Sequence, residues 1–597
     1  MSVDLFQSID LYEQEDYIYM LQHLDSYPPQ VECVEINKST KEIRLIKKNS
    51  QLFKLEEKRI IFGVLGFLKL LKSFVAVVVT KRRLVGKILT SEIFSIEQID
   101  IISCDNRKHE TIATNDGEYL NLIHQHFSAP GFYFSYSYDL TRSLDRNLDC
   151  QRKATYSSLV EYNSKYLWNR HLLKRIIHVK EIYRYFLPII WGYIGRHVDH
   201  MLDFNIHLIS RRSNERVGTR YFVRGGDKEG NVVNYVETET IFICGLDAFS
   251  FIQVRGSIPL AWSQYPNLKY KPRILINPKA NQIDLVKSHF ARELEERRRE
   301  IVINLTDDKG DEGCLSGCFS NALEKINFDS HKLCYFYFDF HKNCAKMRFD
   351  RVSLLLDKIE ELRIQMGFFQ FSLDNTNQKQ NGQVVNRQFG AFRTNCIDCL
   401  DRTNVVQSAI SWKTLMAMTQ ECRLLNDQNG KNVHQKMELV HKHLWADNAD
   451  YLSIQYSGTP ALKTDFTRHG VRTFRGLFED GLNSAKRYLK SNFSDGTRQD
   501  ALDLIVGNFD FDTQRPDVRP NSLKSPSSAI LPIIFVCLFI LLIGDIFLLS
   551  NSNKSRIVFG ILQLWGMVSI VKYVTNNPEK YIDFPRLVVL ESRDKFK

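Results

Sequence analysis

Cys396 is followed six positions later by Arg402 and then Thr403, inside the run RTNCIDCLDRTN from Arg393 to Asn404. A cysteine that opens a tight loop, with converging backbone N–H groups and a helix beginning at the loop's end, faces an anion site and the positive end of a helix dipole. Such a thiol ionises near neutral pH, and the thiolate is the nucleophile. A guanidinium at the far end of the loop offers a planar fork to two phosphate oxygens and shares the charge that builds up on them. The spacing suits attack on a phosphate ester through a phosphocysteine that water then hydrolyses. Cys396 is the expected nucleophile, Arg402 the phosphate clamp and Thr403 a hydrogen-bond donor to the sulfur. Asn395, Ile397, Cys399, Leu400 and Asp401 complete the expected cradle with Thr403. Phosphoryl transfer of this kind is mostly positioning and charge stabilisation, so neither a metal nor a cofactor is needed.

The leaving oxygen needs a proton. Asp398 is the first candidate donor and Asp401 the second, with Asp447 and Asp465 further away in sequence. Either loop carboxylate could instead tie the loop together by accepting backbone N–H bonds or pairing with Arg393. Two plainer readings compete for the cysteines. Cys396 alone could be a small buried hydrophobe. Cys396 and Cys399 could join Cys314 and Cys318 in a four-cysteine zinc site. The second pair has three intervening residues rather than two, and metal binding leaves Arg402 without a purpose.

The loop needs a strand before it and a helix after it. Val405, Ala409, Trp412 and Met416 recur at helical intervals with Val406 and Ile410 beside them, which predicts the helix. Gly382 to Phe392 reads as extended, with Val384, Val385, Phe389 and Phe392 inward. Further out, helical stretches at 285–299 and 352–366 alternate with short strands at 301–305 and 333–340, a mixed α/β pattern. The Asn- and Gln-rich stretch 374–383 reads as an exposed loop. The N-terminal part is dense in β-branched and aromatic runs. Residues 61–79 are apolar enough to suggest a membrane helix, but Lys69, Lys72 and Ser73 interrupt them, so two packed strands with a Gly-containing turn are expected.

Residues 509–528, with Pro516, Pro520 and Pro526, have a linker's composition and a reach of roughly 60 Å. Residues 529–549 are almost uniformly apolar and long enough to cross a bilayer, with Asp545 near the far interface. A second span at 557–574, after a lumenal loop at 550–556, would close a hairpin. The basic residues flanking it, Arg515, Arg519 and Lys524 before and Lys580, Arg586, Arg593, Lys595 and Lys597 after, place both ends in the cytosol. Lys554 and Arg556 in the loop run mildly against that rule. The N-terminal twenty residues are acidic and broken by charges, unlike a cleavable signal peptide.

The expected architecture is an α/β catalytic domain with a cysteine phosphatase loop at 183–508, preceded by a β-rich N-terminal domain at 1–182. The linker, the two-helix transmembrane hairpin and a cytosolic tail at 575–597 follow it. A chain of 597 residues is long enough for about three or four such units. The net charge of +11 favours an anionic partner, and a membrane surface fits better than nucleic acid because no zinc-finger, basic-zipper or RNA-stacking pattern is present. The 12 cysteines are scattered, unlike a disulfide scaffold, which points to a reducing compartment.

The whole signature resembles that of the Sac (suppressor-of-actin) phosphoinositide phosphatases, R-x-N-C-x-D-C-L-D-R-T-N, at every fixed position. Residues 208–239, 250–272, 338–351 and 445–468 resemble the same family, and the C-terminal hairpin is similar to that of its members anchored in the endoplasmic reticulum. The resemblance implies a membrane phosphoinositide as partner and phosphatidylinositol 4-phosphate as preferred substrate, with the 3-phosphate second. It also implies residence in the endoplasmic-reticulum membrane and Golgi, protein partners at membrane contact sites, and head-group binding by Lys463. Two loop carboxylates and no loop lysine independently favour a head group with one ring phosphate. The cluster Arg211, Arg212, Arg216, Arg220 and Arg224 reads either as an ordinary charged surface or as a patch for anionic lipid. His341 reads more simply as a packed histidine than as a catalytic one. A protein tyrosine phosphatase shares the Cys-x5-Arg chemistry, and a scaffold that only binds phosphoinositide is the reading from a different class.

Overall fold

The computed structural model describes residues 5–53, 57–106, 109–153, 158–326, 328–345, 348–373, 382–424, 430–470, 473–515 and 554–588, together with positions 534, 537, 538 and 541. Five N-terminal strands form an antiparallel sheet in the order Ile43–Asn49, Gln30–Asn37, Tyr17–Gln22, Ile9–Glu13, Lys58–Ile61. Side chains alternate across a strand, and here both faces are covered. Ile9, Leu11, Ile18, Met20, Val34 and Ile36 enter the main N-terminal core. Tyr12, Tyr19, Leu21, Val31 and Cys33 pack against Phe53 on the other side.

The second sheet has thirteen strands and passes without a break from the N-terminal half into the catalytic half. Its antiparallel run begins with Val64–Lys69, Phe74–Ile88, Ser91–Ser103 and Phe132–Phe134. It continues through Ile190–Asp199, Phe204–Arg212, Val236–Cys244 and Asp247–Arg255. The two halves meet where Tyr133 and Phe132 pair with Ile190 and Trp191. The expected pair of strands within 61–79 is present, but its turn is Leu70–Ser73, closed by Leu70 N donating to Ser73 O at 2.8 Å. The glycines, Gly63 and Gly66, lie on the strand side at φ +144° and +132°.

Beyond Asp247–Arg255 the sheet turns parallel. Ala391–Asn395 lies between that strand and Glu300–Asn304, and Leu333–Tyr337 follows. Parallel neighbours need crossover connections. The helices Gly310–Ile326 and Ser353–Met366 lie along the chain between these strands. Ile301, Ile303 and Phe392 face one core, and Val302 faces the opposite one. Three parallel strands thus end side by side, and the carboxyl edge of such a group is where open α/β sheets form their crevices. Of the residues expected inward before the signature, Phe392 is buried and Val384 half-buried, whereas Val385 is exposed on the edge strand Gly382–Asn386 and Phe389 is exposed next to the bend that separates this strand from Ala391–Asn395.

After the helix Asp495–Val506, Phe509 and Phe511 pack on the N-terminal core, and Phe511 meets Tyr119 edge to face. Most of the expected linker and the first expected span lie outside the described residues, as do 589–597 and 374–381. The second span falls on the helix Lys554–Asn576, which also takes in residues 554–556 of the expected loop. Among the described residues no helix is long and apolar enough to cross a membrane. The tail is docked rather than free: Asp583 N donates to Asn492 O at 2.8 Å, Thr497 N to Asp583 Oδ2 at 2.7 Å, and Arg586 N and Leu587 N to Asp500 Oδ1 at 2.7 and 2.9 Å.

Candidate active site

The strand Ala391–Asn395, a loop of five residues and the helix Asp401–Glu421 form the strand–loop–helix unit that the signature requires. The strand is wholly buried. Arg393 donates from Nε to His289 Nε2 at 3.0 Å, from Nη1 to Asn395 Oδ1 at 3.0 Å and from Nη2 to Ser257 O at 2.9 Å. His289 can accept because burial and the neighbouring Arg393 lower its pKa to about 3, keeping the ring neutral. Asn395 passes the network on, with Nδ2 donating to Asn304 Oδ1 at 2.8 Å. These groups fix the strand's end, from which the loop springs.

Within the loop the two cysteines face each other. Cys399, at φ +54°, donates its N–H to Cys396 Sγ at 3.0 Å, and its own thiol reaches Gly256 O at 2.9 Å. Thr403 Oγ1 donates to Cys396 Sγ at 3.5 Å. The hydrogen bond from the Cys399 side chain, the Arg402 charge and the Thr403 hydroxyl outweigh burial and lower the Cys396 thiol to about 7. The Cys399 thiol moves the other way, raised by burial and by its neighbour. A pair of this kind has one reactive sulfur and one that stays protonated.

Asp398 does not point free into the site. Arg220 Nη2 reaches its Oδ2 at 2.8 Å and Nε its Oδ1 at 3.2 Å, while Arg224 Nη2 lies 2.8 Å from Oδ1. Against the cost of burial, Arg220 and then Arg224 hold this carboxyl far below the usual carboxylate range. It therefore accepts hydrogen bonds and ties the loop down, with Arg220 and Arg224 in the place suggested for Arg393. Arg224 also donates to Ile397 O at 3.1 Å and Tyr456 Oη at 3.0 Å, and Asn234 Nδ2 donates to Asp398 O at 2.9 Å. Asp401 is different: burial raises its pKa, and its Oδ1 accepts from Leu462 N at 3.1 Å.

The loop opens into a cavity of about 690 Å³. Cys396, Ile397, Asp398, Leu400, Asp401, Arg402 and Asn404 line it from the signature. Asn395, Cys399 and Thr403 do not; they are buried and support the loop from behind. Arg402 spans the cavity wall, with Nη1 and Nη2 on Glu312 at 2.8 and 3.1 Å and Nη1 also 3.4 Å from Asp307 Oδ1. Asp307 in turn is joined to His341 Nδ1 at 2.6 Å, so His341 sits at the cavity, half-exposed and paired, rather than packed in the core. Lys309, Lys463, Arg487 and Tyr488 complete the wall. Asp447 pairs with Arg468 at 2.6 Å, and Asp465 accepts from Thr473; neither lines the cavity.

Three of the five arginines of the expected basic surface, Arg211, Arg212 and Arg224, are interior. Arg211 and Arg212 are buried, Arg211 against Glu239 at 2.6 Å, and Arg216 caps Gly225 O and Arg224 O. Of the five, only Arg220 and Arg224 line the cavity, and both pair with the single carboxylate of Asp398. Glu312 and Asp307 carry no signal in the sequence that ties them to a motif some ninety residues later.

Residues 62–345 match the SacI homology domain, a stretch that ends before the signature. Over 90% of its length the chain is 37% identical to phosphatidylinositol-3-phosphatase SAC1-B of Danio rerio, of which 91% is covered. It is 35% identical over 88% of its length to phosphatidylinositol-3-phosphatase SAC1 of Saccharomyces cerevisiae, with 85% of that protein covered. Phosphoinositide phosphatase SAC6 of Arabidopsis thaliana is 33% identical, with 93% of this chain and 94% of that protein aligned.

Proposed function

The chain belongs to the Sac family of phosphoinositide phosphatases, and we propose that it hydrolyses phosphatidylinositol 4-phosphate, and the 3-phosphate second, through a phosphocysteine on Cys396. The single observation that supports this most is the Cys396 sulfur, which receives the Cys399 N–H and the Thr403 hydroxyl on the wall of a cavity that Arg402 also lines. The thiolate attacks phosphorus, an S–P bond forms as the P–O bond to inositol breaks, and the leaving oxygen takes a proton. Water then attacks phosphorus, the S–P bond breaks, and inorganic phosphate leaves. Backbone N–H groups of the loop and the Arg402 guanidinium, exchanging Glu312 for phosphate oxygens, stabilise the charge in both steps.

Asp398, ion-paired twice, suits the loop-tying role, and the proton is assigned to Asp401, whose raised pKa and place on the cavity wall suit a donor that afterwards accepts the proton of water. Preference for one ring phosphate rests on the family resemblance and on the loop itself, which holds Asp398 and Asp401 and no lysine, and not on the cavity wall, where Lys271, Lys309, Lys463 and Arg487 stand against Asp307, Asp311 and Glu312. The 3-phosphate in the names of the zebrafish and yeast relatives supports keeping that isomer in the proposal. The apolar residues 529–549 and the helix Lys554–Asn576 are proposed to anchor the enzyme in the endoplasmic-reticulum membrane, with the body cytosolic.

Phosphate release by the full chain in detergent and EDTA, from a panel of phosphoinositides, tests the proposal. The expected result is monophosphate turnover that survives EDTA, exceeds turnover of the 4,5-bisphosphate and vanishes in Cys396→Ser. Loss of activity in EDTA, or faster cleavage of the bisphosphate, overturns the mechanism or the specificity respectively. A folded parent protein without activity moves the reading to phosphoinositide binding alone.

A further inference from the structure

The helix Phe474–Phe493 is amphipathic in the reverse of the usual sense. Its buried positions are Gly476, Arg487, Ser491 and Asn492. Arg487 reaches Thr459 Oγ1 at 2.9 Å, Ser453 Oγ at 3.1 Å and Pro460 O at 2.9 Å, so a polar face holds the helix to the body. The opposite face carries Phe474, Phe478, Leu482 and Leu489, which the helical repeat brings into one stripe. Phe474 is 88% exposed and Phe478 64%. A row of large apolar side chains turned to solvent is costly unless something covers it.

The place of this helix identifies the cover. Ser484, Arg487 and Tyr488 line the active-site cavity. Tyr488 Oη donates to Leu268 O at 2.8 Å, holding the loop whose exposed Tyr270 and Lys271 also line the cavity. Lys486 is exposed along one side of the apolar stripe, and Lys490, further round on the same side, turns its Nζ back to Gly458 O at 2.7 Å. At its C-terminal end the helix accepts Asp583 N on Asn492 O, which joins it to the segment leaving Lys554–Asn576, whose Ile561, Leu562, Trp565 and Val568 are exposed too. An aromatic and aliphatic stripe bordered on one side by Lys486, on a helix that lines the cavity proposed for a lipid head group, has the composition of a helix that lies in a membrane interface.

We propose that the apolar face of Phe474–Phe493 docks on the surface of the anionic bilayer that holds the substrate, seating the cavity mouth over the lipid. The proposal rests on the phosphoinositide reading for the identity of the lipid, and its test separates the two. Full-length protein in vesicles containing phosphatidylinositol 4-phosphate is compared with the same protein in detergent acting on a short-chain, water-soluble analogue. The triple variant Phe474→Ser, Phe478→Ser, Leu482→Ser is expected to lose at least about tenfold in vesicle turnover while staying within about twofold on the soluble substrate. Separately, a Phe478→Trp variant is expected to gain fluorescence that lipids brominated near the head group quench, over the parent's signal. Unchanged vesicle turnover with no added quenching overturns the docking. Conversion of a dimeric parent to a monomer by the triple variant also overturns it, since a second copy would then be the cover. A parent silent on both substrates whose Phe478→Trp variant is still quenched sinks the phosphatase reading and leaves the docking standing.

Discussion

At the scale of single residues the site pairs a sulfur whose ionisation is favoured with one whose ionisation is disfavoured, and a carboxyl that is ion-paired twice with one that resists charge. With the Cys396 thiol at about 7, the reactive thiolate grows from about a tenth of the protein at pH 6 to about nine tenths at pH 8. The ascending limb of kcat/KM against pH is therefore expected near 7, and Cys399→Ala, which removes the largest lowering influence, is expected to move it to higher pH. Asp398→Asn and Asp401→Asn separate the carboxyls. Asp398→Asn leaves Arg220 and the buried Arg224 without their counter-charge, so stability and activity are expected to fall together, by about 3 to 5 kcal/mol in stability, on any leaving group. Asp401 folds most favourably in its protonated form, so a neutral amide costs little stability. Asp401→Asn is expected to lose about 10² to 10⁴ in kcat on the inositol lipid and far less on an aryl phosphate whose leaving group needs no proton. That Cys396 and Arg402 share one cavity was legible in the sequence because they stand within seven consecutive residues of one loop. The partners that decide what Asp398 and Arg402 do, Arg220, Arg224, Asp307 and Glu312, reach the loop only through the fold.

Elements were legible where periodicity was strong. The helix after the signature and the strand before it are present because Val406 and Ile410 repeat at helical spacing and Ala391–Asn395 is buried throughout. Val385 and Phe389 are exposed for different reasons: Val385 is on the edge strand Gly382–Asn386, which pairs on one side only, and Phe389 lies beyond that strand at the bend. Gly390 makes that bend, at φ +105°, with a Cβ there falling 2.6 Å from Arg299 O. Gly390→Ala is expected to destabilise the protein by about 1 to 3 kcal/mol or more, read as a lower denaturation midpoint, with activity lost in proportion to misplacement of Cys396. The docked tail offers a second test of an element. A side chain at Gly496 would overlap the Asp583 carbonyl, so Gly496→Ala is expected to free residues 581–588, seen as faster hydrogen exchange at the Arg586 and Leu587 amides.

For the whole molecule, the sequence suggested an N-terminal unit packed on a catalytic one, whereas a single sheet crosses the expected boundary through Phe132–Phe134 and Ile190–Asp199. Strand pairing between segments some sixty residues apart has no local signature, which is why composition alone divides the chain there. The return of the tail has no local signature either. The chain leaves the body after Phe511, packed by Tyr119, and comes back at Tyr581, with Leu587 in the same N-terminal core. The described segments on either side of residues 516–553 are thus both fastened to the same core, through Phe509 and Phe511 on one side and Leu587 on the other. A single proteolytic cut between residues 516 and 553 is expected to leave the last segment seated, so that the two fragments co-elute on size exclusion and part only in denaturant. A load applied to the chain between those two attachments would be shared by separate grips and would not peel the body from one end.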